Sequence, residues 1–246
     1  MTAVSAVTIL ESALADELIA AVTTSYRGAA DAERAAAQRA YMRDQFAYLG
    51  IATPERRRLS RDVLKGSSLK GSSVKGSSRP TTADCAALAL RCWQLPEREF
   101  RYFAIDYLVA NVKHCESSLL TTLRALITTD SWWDTIDPLA TRVVGPLVAA
   151  DSSLPATMDA WVRDENLWIA RTAILHQLHY KAGTDEKRLF EYCALQAGHQ
   201  DFFIRKAIGW ALREYAYTAP EAVRAFLDRE RGRLSPLSVR EAAKHL

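Results

Sequence analysis

Apolar side chains recur at helical spacing along most of the chain, and this pattern restricts the fold more than any other feature. Leucines and a valine stand four residues apart from residue 10 to residue 22, and the same spacing returns from residue 119 to residue 127. Such spacing follows one face of an α-helix, whereas a half-buried strand alternates every second residue. Gly, Pro, Ser, Thr and Asp interrupt the pattern about every 12–20 residues, as turns between helices do. The sequence therefore predicts an all-α fold of roughly a dozen helices.

Two segments, Trp168–Ile174 and Phe202–Ile208, repeat one pattern at an offset of 34 residues. Each places an aromatic residue three positions before an arginine and the pair Ala-Ile shortly after it. Coincidence among common residue types is the alternative, but the all-helical background favours a true repeat. A helical hairpin of this length is typical of HEAT-like repeats. We therefore expect an α-solenoid of HEAT-like helical-hairpin repeats, curved with a concave basic groove.

The composition is that of a folded protein with a substantial core. Of 246 residues, 49% are hydrophobic and 25% charged, which excludes disordered, collagen-like and disulfide-scaffold chains. No run of about 18 uncharged apolar residues is present, so we expect no membrane span. Glu11, Asp16 and Glu17 interrupt the apolar N-terminal stretch, which argues against a signal peptide. We expect a single domain over residues 1–246 in the cytoplasm.

The cysteine and histidine residues show no spacing that is specific for a metal site. His176 and His179 are three residues apart and no third ligand accompanies them, so surface histidines are favoured over metal ligands. The cysteines are interpreted as buried small side chains in a reducing compartment, and Trp93 and Trp161 as core or packing between repeats. We expect no cofactor. The four cysteines are Cys85, Cys92, Cys115 and Cys193.

A short tandem KGSS repeat at about residues 65–80 differs from the rest of the chain. It is rich in Gly and Ser, so we interpret it as a flexible basic loop between two helices. Residues 51–80 contain eight basic and two acidic side chains, a local net charge of +6. A basic patch favours a polyanion as partner, and a solvated charged surface is the equally weighted alternative.

The most unusual stretch is residues 129–138, Thr-Asp-Ser-Trp-Trp-Asp-Thr-Ile-Asp-Pro. Ser131 and Asp134 resemble a capping box at a helix start. Trp133 and Asp137 are four residues apart, which places them on one helical face. Pro138 instead favours a helix break with Asp137 as N-cap of the next helix. Ordinary core packing with capping is therefore one interpretation, and a carboxylate facing a groove is the other.

The repeat period favours the second interpretation. Asp137, Arg171 and Arg205 are separated by 34 residues each, so they occupy one register in successive repeats. Equal register in a solenoid means a shared surface, and the concave surface usually binds the partner. Trp133 precedes Asp137 by four residues, and Trp210 follows Arg205 by five. Indole faces, a guanidinium and a carboxylate together suit a charged planar or sugar-phosphate ligand.

From about residue 35 onward, the chain resembles the AlkD-like DNA alkylation repair glycosylases, a family built from HEAT-like repeats. The WWDxxD and FFIRKAIGWALREY segments are together highly specific, and the matching segments occur in the same order and spacing. The KGSS tract departs from the family pattern as an insertion between two early helices. The matching segments are Tyr41–Arg43, Phe46–Arg57, Leu95–Phe100, Ser131–Asp137, Trp168–Leu175, Phe202–Tyr215 and Leu234–Ser238.

The resemblance implies a catalytic cleft formed by Trp133, Asp137 and Trp210. Asp137 would be the catalytic carboxylate that stabilises the oxocarbenium-like sugar and orients water. The two indoles would pack on the sugar and favour a cationic species. Tyr41 and Arg171 would line the DNA-binding groove, with Arg171 holding a phosphate. Weaker phosphate contacts are expected from Arg205, Arg56 and Arg57.

The implied reaction is hydrolysis of the N-glycosidic bond of positively charged N3- or N7-alkylated purines in duplex DNA. The resemblance implies that the base need not be flipped into a pocket and that the enzyme is a monomer. No lysine is marked as a Schiff-base nucleophile, so a monofunctional glycosylase that leaves an abasic site is expected, associated with the nucleoid when bound to DNA. The alternatives are a non-catalytic HEAT-repeat DNA-binding module and a protein scaffold.

Overall fold

The computed structural model describes residues 11–66 and 79–246, and most of this part of the chain is α-helical. Strand-like pairing within it is limited to one isolated bridge between Ala47 and Glu97. The all-α prediction is therefore confirmed, and the helix order is consistent with an α-solenoid of helical repeats. Residues 67–78, which hold most of the KGSS tract, lie outside the described residues, as do residues 1–10.

The chain divides after Thr129 into two compact units. The single domain expected over residues 1–246 stays a prediction. In the first unit, the hydroxyl of Ser12 accepts from Ala15 N at the start of the first helix, and Thr81 and Asp84 form a capping box. Its helices are α1 (Ala13–Gly28), α2 (Ala32–Tyr41), α3 (Thr53–Gly66), α4 (Thr82–Gln94), α5 (Arg98–Asn111) and α6 (Leu119–Ile127), with a 3₁₀ turn at Val112–His114.

The second unit begins with a continuous helical stretch from Trp133 to Ala150 that contains a π-helical segment, Ala140–Val144. Its α-helices are α7 (Trp133–Leu139), α8 (Gly145–Ala150), α9 (Pro155–Trp161), α10 (Leu167–Leu175), α11 (Glu186–Leu195), α12 (Phe202–Ala216), α13 (Pro220–Glu230) and α14 (Pro236–Ala242). 3₁₀ turns lie at Lys181–Gly183 and Ala243–His245.

Hydrogen bonds in each unit join residues about one repeat apart. In the second unit α7 packs on α10, α10 on α12, and α12 on α14. Stacking of equivalent helices explains why residues 33 to 35 positions apart meet. The HEAT class and the concave basic groove stay predictions. The bonds are Glu116 N to Thr82, Trp93 to Leu126 O, Arg171 to Asp137, Tyr180 to Gly145 O, Gln196 to Val162 O and Ser238 to Arg205 O.

Gly145, at the start of α8, lies in a continuous helical stretch and not in a turn, although glycine is among the residues expected at turns. A Cβ at Gly145 would lie 2.2 Å from the carbonyl oxygen of His176, so the helix requires glycine for close packing. Trp93, Trp161 and three of the four cysteines are buried, as predicted. Cys115, which follows the 3₁₀ turn after α5, is only half-buried, so the prediction is wrong for this cysteine. None of the described helices is long and apolar enough to cross a bilayer.

Candidate active site

Helix α7 starts and continues differently from the sequence expectation. Its N-cap is Trp132, whose side chain makes no capping hydrogen bond, whereas the predicted capping box placed the N-cap one residue earlier, at Ser131. Pro138 lies inside the helix, and Asp137 is therefore a helical residue and not an N-cap. The π-helical segment follows directly, and Thr141 Oγ1 donates to the carbonyl oxygen of Asp137 at 2.8 Å. The π-helical segment and the bond from Thr141 continue the helix past the proline.

Asp137 forms a two-point ion pair with Arg171. Arg171 Nε donates to Oδ1 at 2.8 Å and Nη2 donates to Oδ2 at 2.9 Å, while Nη1 donates to the carbonyl oxygen of Phe203. The arginine side chain is 5% exposed and the aspartate side chain 17%. The guanidinium thus connects α7, α10 and α12, three successive stacked helices. Two parallel N–H···O bonds are the strongest geometry for such a pair.

Burial and the ion pair act on the Asp137 carboxyl in opposite directions. Desolvation raises the pKa of Asp137 above its ordinary value of 3.8, and the hydrogen bonds from Arg171 oppose that rise. The nearby Asp134 carboxylate adds a smaller upward effect on the pKa. The group that results is a partly desolvated carboxylate fixed in orientation and open to solvent on one side.

This carboxylate faces a cavity of about 410 Å³ with an aromatic wall. Trp133 and Trp210 line the cavity together with Phe202 and Phe203. Phe203 is supported from behind, because its ring lies 4.9 Å from Trp168 and 5.1 Å from Trp132. The three residues expected in the catalytic cleft therefore line one cavity.

The same cavity contains charged residues that the sequence analysis did not identify. Lys206 and Arg213 lie on α12, and Glu241 and Lys244 lie on or just after α14. The α12 pair belongs to a stripe at positions 203, 206, 210 and 213, a spacing of 3, 4 and 3 residues that marks one helical face. This spacing was the feature of the sequence from which Lys206 and Arg213 could be assigned to the site. The residues from α14 had no comparable motif.

Arg205, although in register with Arg171, does not line the cavity. Its Nε donates to the carbonyl oxygen of His199 at 2.9 Å, and its Nη2 donates to the Gln200 amide oxygen. Its guanidinium therefore stabilises the turn that precedes α12. The phosphate contact expected from Arg205 stays a prediction.

The DNA-contact residues expected from the first unit have different environments. Tyr41 ends α2 and is highly exposed, and Arg57 on α3 is also exposed. Arg56 is buried, pairs with Asp106 at 3.0 Å and lies 5.1 Å from the Tyr102 ring centre. Its guanidinium is thus engaged in an internal ion pair, and the phosphate contact expected of Arg56 stays a prediction.

Both histidines were expected at the surface, and this prediction is wrong for His176. His176 is buried beside Tyr180 and Tyr192, and burial lowers its pKa to about 4. Its Nδ1 lies 2.7 Å from the carbonyl oxygen of Ala173. His179 is exposed, as expected. Among the described residues no group of three His, Cys, Asp or Glu side chains could hold a metal ion.

Comparison with known proteins identifies the family of the chain. Residues 22–246 match the model of a family described as DNA alkylation repair enzyme. A solved structure described as a predicted DNA alkylation repair enzyme from Enterococcus faecalis is 32% identical, with a TM-score of 0.75. The likeness covers 88% of this chain and 96% of that one. No curated protein matches the chain. The family match over nearly the whole sequence shows that the chain belongs to the DNA alkylation repair enzyme family.

Proposed function

We propose that the protein is a monofunctional DNA glycosylase that hydrolyses the N-glycosidic bond of N3- or N7-alkylated purines in duplex DNA. Family membership supports a role in alkylation repair and implies DNA binding. One observation carries the finer proposal: a carboxylate fixed by two hydrogen bonds faces a cavity with two tryptophans. The products are a free base and an abasic site.

The proposed chemistry uses the charge that the lesion already carries. An N3- or N7-alkylated purine is cationic and leaves as a neutral base, so no strong general acid is required. Positive charge then develops on the deoxyribose, and the Asp137 carboxylate stabilises it electrostatically and orients the attacking water. Because the carboxylate is preorganised, no reorientation is required in the transition state.

The aromatic wall suits the same transition state. The faces of Trp133 and Trp210 carry negative potential and attract a cationic sugar or base, by roughly 0.5–2 kcal/mol each. They also exclude water from one side of the cavity. Engagement of the sugar, without a fitted pocket for the base, is part of the proposal.

In this proposal Arg171 positions Asp137, because its Nε, Nη1 and Nη2 all donate to protein oxygens. We propose that exposed side chains, and not Arg171, bind the DNA phosphates. Tyr41 and Arg57 are the candidates in the first unit, and Arg205 is a weaker one in the second.

The decisive test is single-turnover release of base from a duplex with one N7-methylguanine. Wild type should release the base, and Asp137→Asn should be slower by at least about 100-fold because the stabilising charge is lost. Asp134→Asn is the matched control, since it removes a carboxylate one turn away that does not line the cavity. Equal rates for wild type and Asp137→Asn would disprove the catalytic assignment.

The second candidate is a non-catalytic DNA-binding module, and it predicts a different result. If wild type releases no base from duplexes with N7-methylguanine, an N3-alkyladenine or a bulky cationic adduct, yet binds them, the module is favoured. In that case Asp137→Asn should bind DNA more tightly, because a carboxylate near phosphates only repels them.

A further inference from the structure

The cavity that contains Asp137 has an unexplained excess of positive charge. Four cationic side chains and two carboxylates line it, a net charge of +2. Asp137 and Arg171 neutralise each other, so the excess belongs to Lys206, Arg213 and Lys244 around Glu241. The part of the cavity lined by these three cations therefore attracts an anion.

Glu241 holds the three cations together. Lys244 Nζ lies 2.9 and 3.0 Å from its two carboxylate oxygens, Lys206 Nζ lies 3.1 Å from Oε1, and Arg213 Nη1 donates to Oε2 at 3.1 Å. The glutamate side chain is only 10% exposed. Its hydrogen bonds from Lys244 and Lys206 lower the pKa of Glu241 to about 2, so it stays ionised.

The ammonium and guanidinium groups of this cluster retain N–H donors that the bonds to Glu241 do not use. Side chains of Lys206 and Lys244 are 36% and 46% exposed. Lys206 uses one of three N–H groups on Glu241 and Arg213 one of five. A tetrahedral anion has several oxygens that accept hydrogen bonds from such donors. Both oxygens of the Glu241 carboxylate already accept from cations, so a further cation is a poorer ligand for the cluster.

Close approach of two helices builds this cluster. A Cβ at Gly209 on α12 would lie 2.5 Å from Glu241 Cβ, so glycine lets α14 place its carboxylate between the α12 cations. Lys206 and Arg213 also flank Trp210 on the same face of α12, four and three residues away respectively. The cluster is therefore continuous with the aromatic wall of the cavity.

We infer that Lys206, Arg213 and Lys244, organised by Glu241, bind one backbone phosphate of DNA beside the nucleotide that lies against Asp137. The ligand class is a phosphodiester monoanion in a duplex. This inference rests on the proposed function for its position next to the lesion, but the binding of DNA by this cluster does not depend on catalysis. It assigns to these residues a phosphate contact of the kind first expected of Arg171, whose side chain is only 5% exposed.

The first arm of the test measures affinity for an undamaged duplex as a function of salt. The double variant Lys206→Gln/Lys244→Gln should show a weaker salt dependence: the magnitude of the slope of log K against log salt should fall by about 1. Each phosphate contact contributes about 0.9 to that magnitude. The matched control Lys181→Gln/Lys187→Gln loses the same charge at exposed positions outside this cavity and should keep the wild-type slope. Equal slope changes in both double variants would overturn the inference.

The second arm locates the phosphate with a duplex that contains a tetrahydrofuran abasic-site analogue. Neutral methylphosphonates replace the flanking phosphates one at a time. At one position the replacement should weaken wild-type binding by about tenfold and weaken the Lys206→Gln/Lys244→Gln variant much less, because both changes remove the same contact. Losses that are additive at every position would show that the cluster only joins α12 to α14.

The two arms separate this inference from the proposed function. If wild type releases no base but the double variant still changes the salt slope, the phosphate site stands and the glycosylase assignment falls. If wild type releases base and both arms show no specific effect, the glycosylase assignment stands and the phosphate site falls. Thermal unfolding of each variant checks that it is folded.

Discussion

At the scale of single residues, Asp137 depends on one partner for its charge. A buried carboxylate without a partner takes up a proton, and Arg171 opposes this with two hydrogen bonds. Breaking such a pair from one side costs about 3–5 kcal/mol, because the remaining charge is buried alone. The pair therefore stabilises the fold, and in the proposed reaction it also keeps Asp137 charged.

The Arg171→Met variant should show both effects. In wild type, burial raises the pKa of Asp137 above 3.8, so base release should already fall on the acid side at a pH above this value. Without Arg171 that pKa rises further, and the acid limb of the pH–rate profile should move toward neutral pH. The folded state then binds the proton more tightly, so the variant should lose about 3 kcal/mol of stability at pH 7 and less at pH 5.

A matched double variant tests the cause of this loss. Asp137→Asn combined with Arg171→Met removes the unpaired carboxylate and should recover part of the lost free energy of unfolding at pH 7. Denaturant unfolding at both pH values measures the difference. An acid limb that does not move in Arg171→Met would contradict the role of Arg171 in keeping Asp137 ionised.

At the scale of helices, the site depends on how closely α12 and α14 pack. Gly209→Ala places a methyl group 2.5 Å from Glu241 Cβ and 3.0 Å from the carbonyl oxygen of Ser238, so α14 must shift. Overpacking of this kind costs about 1–3 kcal/mol. DNA affinity should fall as well, because Glu241 and Lys244 move with the helix.

The control for this prediction is Gly198→Ala. A Cβ at Gly198 meets nothing within 4 Å, so its effect on stability should stay within about 0.5 kcal/mol. Thermal unfolding and a DNA-binding isotherm for both variants provide the comparison. A Gly209→Ala protein with wild-type stability and affinity would show that α14 tolerates the shift.

At the scale of the whole molecule, the sequence places a +6 charge in residues 51–80 while the remainder carries about −3. If DNA is the polyanion that this segment attracts, Lys70→Ser/Lys75→Ser should weaken duplex binding several-fold and reduce the salt slope by up to about 2. Single-turnover base release at saturating protein should stay unchanged, because neither lysine belongs to the proposed site. Unchanged affinity would favour the alternative of a solvated charged surface.

Much of this protein follows from local pattern. Helical periodicity predicted the all-α fold, and the 34-residue register predicted that Asp137 and Arg171 share a surface. Stacked equivalent helices bring residues one repeat apart together, so the register placed both residues on one surface, but it did not predict the ion pair between them. The spacing of Trp133 and Asp137 likewise placed both in one cavity, although the expected helix break at Pro138 was wrong.

Register gives the face of a helix but not the direction in which a long side chain turns. Arg171 turns inward because a partly buried carboxylate needs its hydrogen bonds, whereas Arg205, one repeat later, meets no such carboxylate and holds the preceding turn. The burial of His176 and the assembly of Glu241 with Lys206 depend on which helices pack together. The contacts of Glu241 join residues 28 to 35 positions apart, so they depend on how the helices pack. The helices and their repeat follow from local spacing in the sequence, because periodicity acts within a few turns.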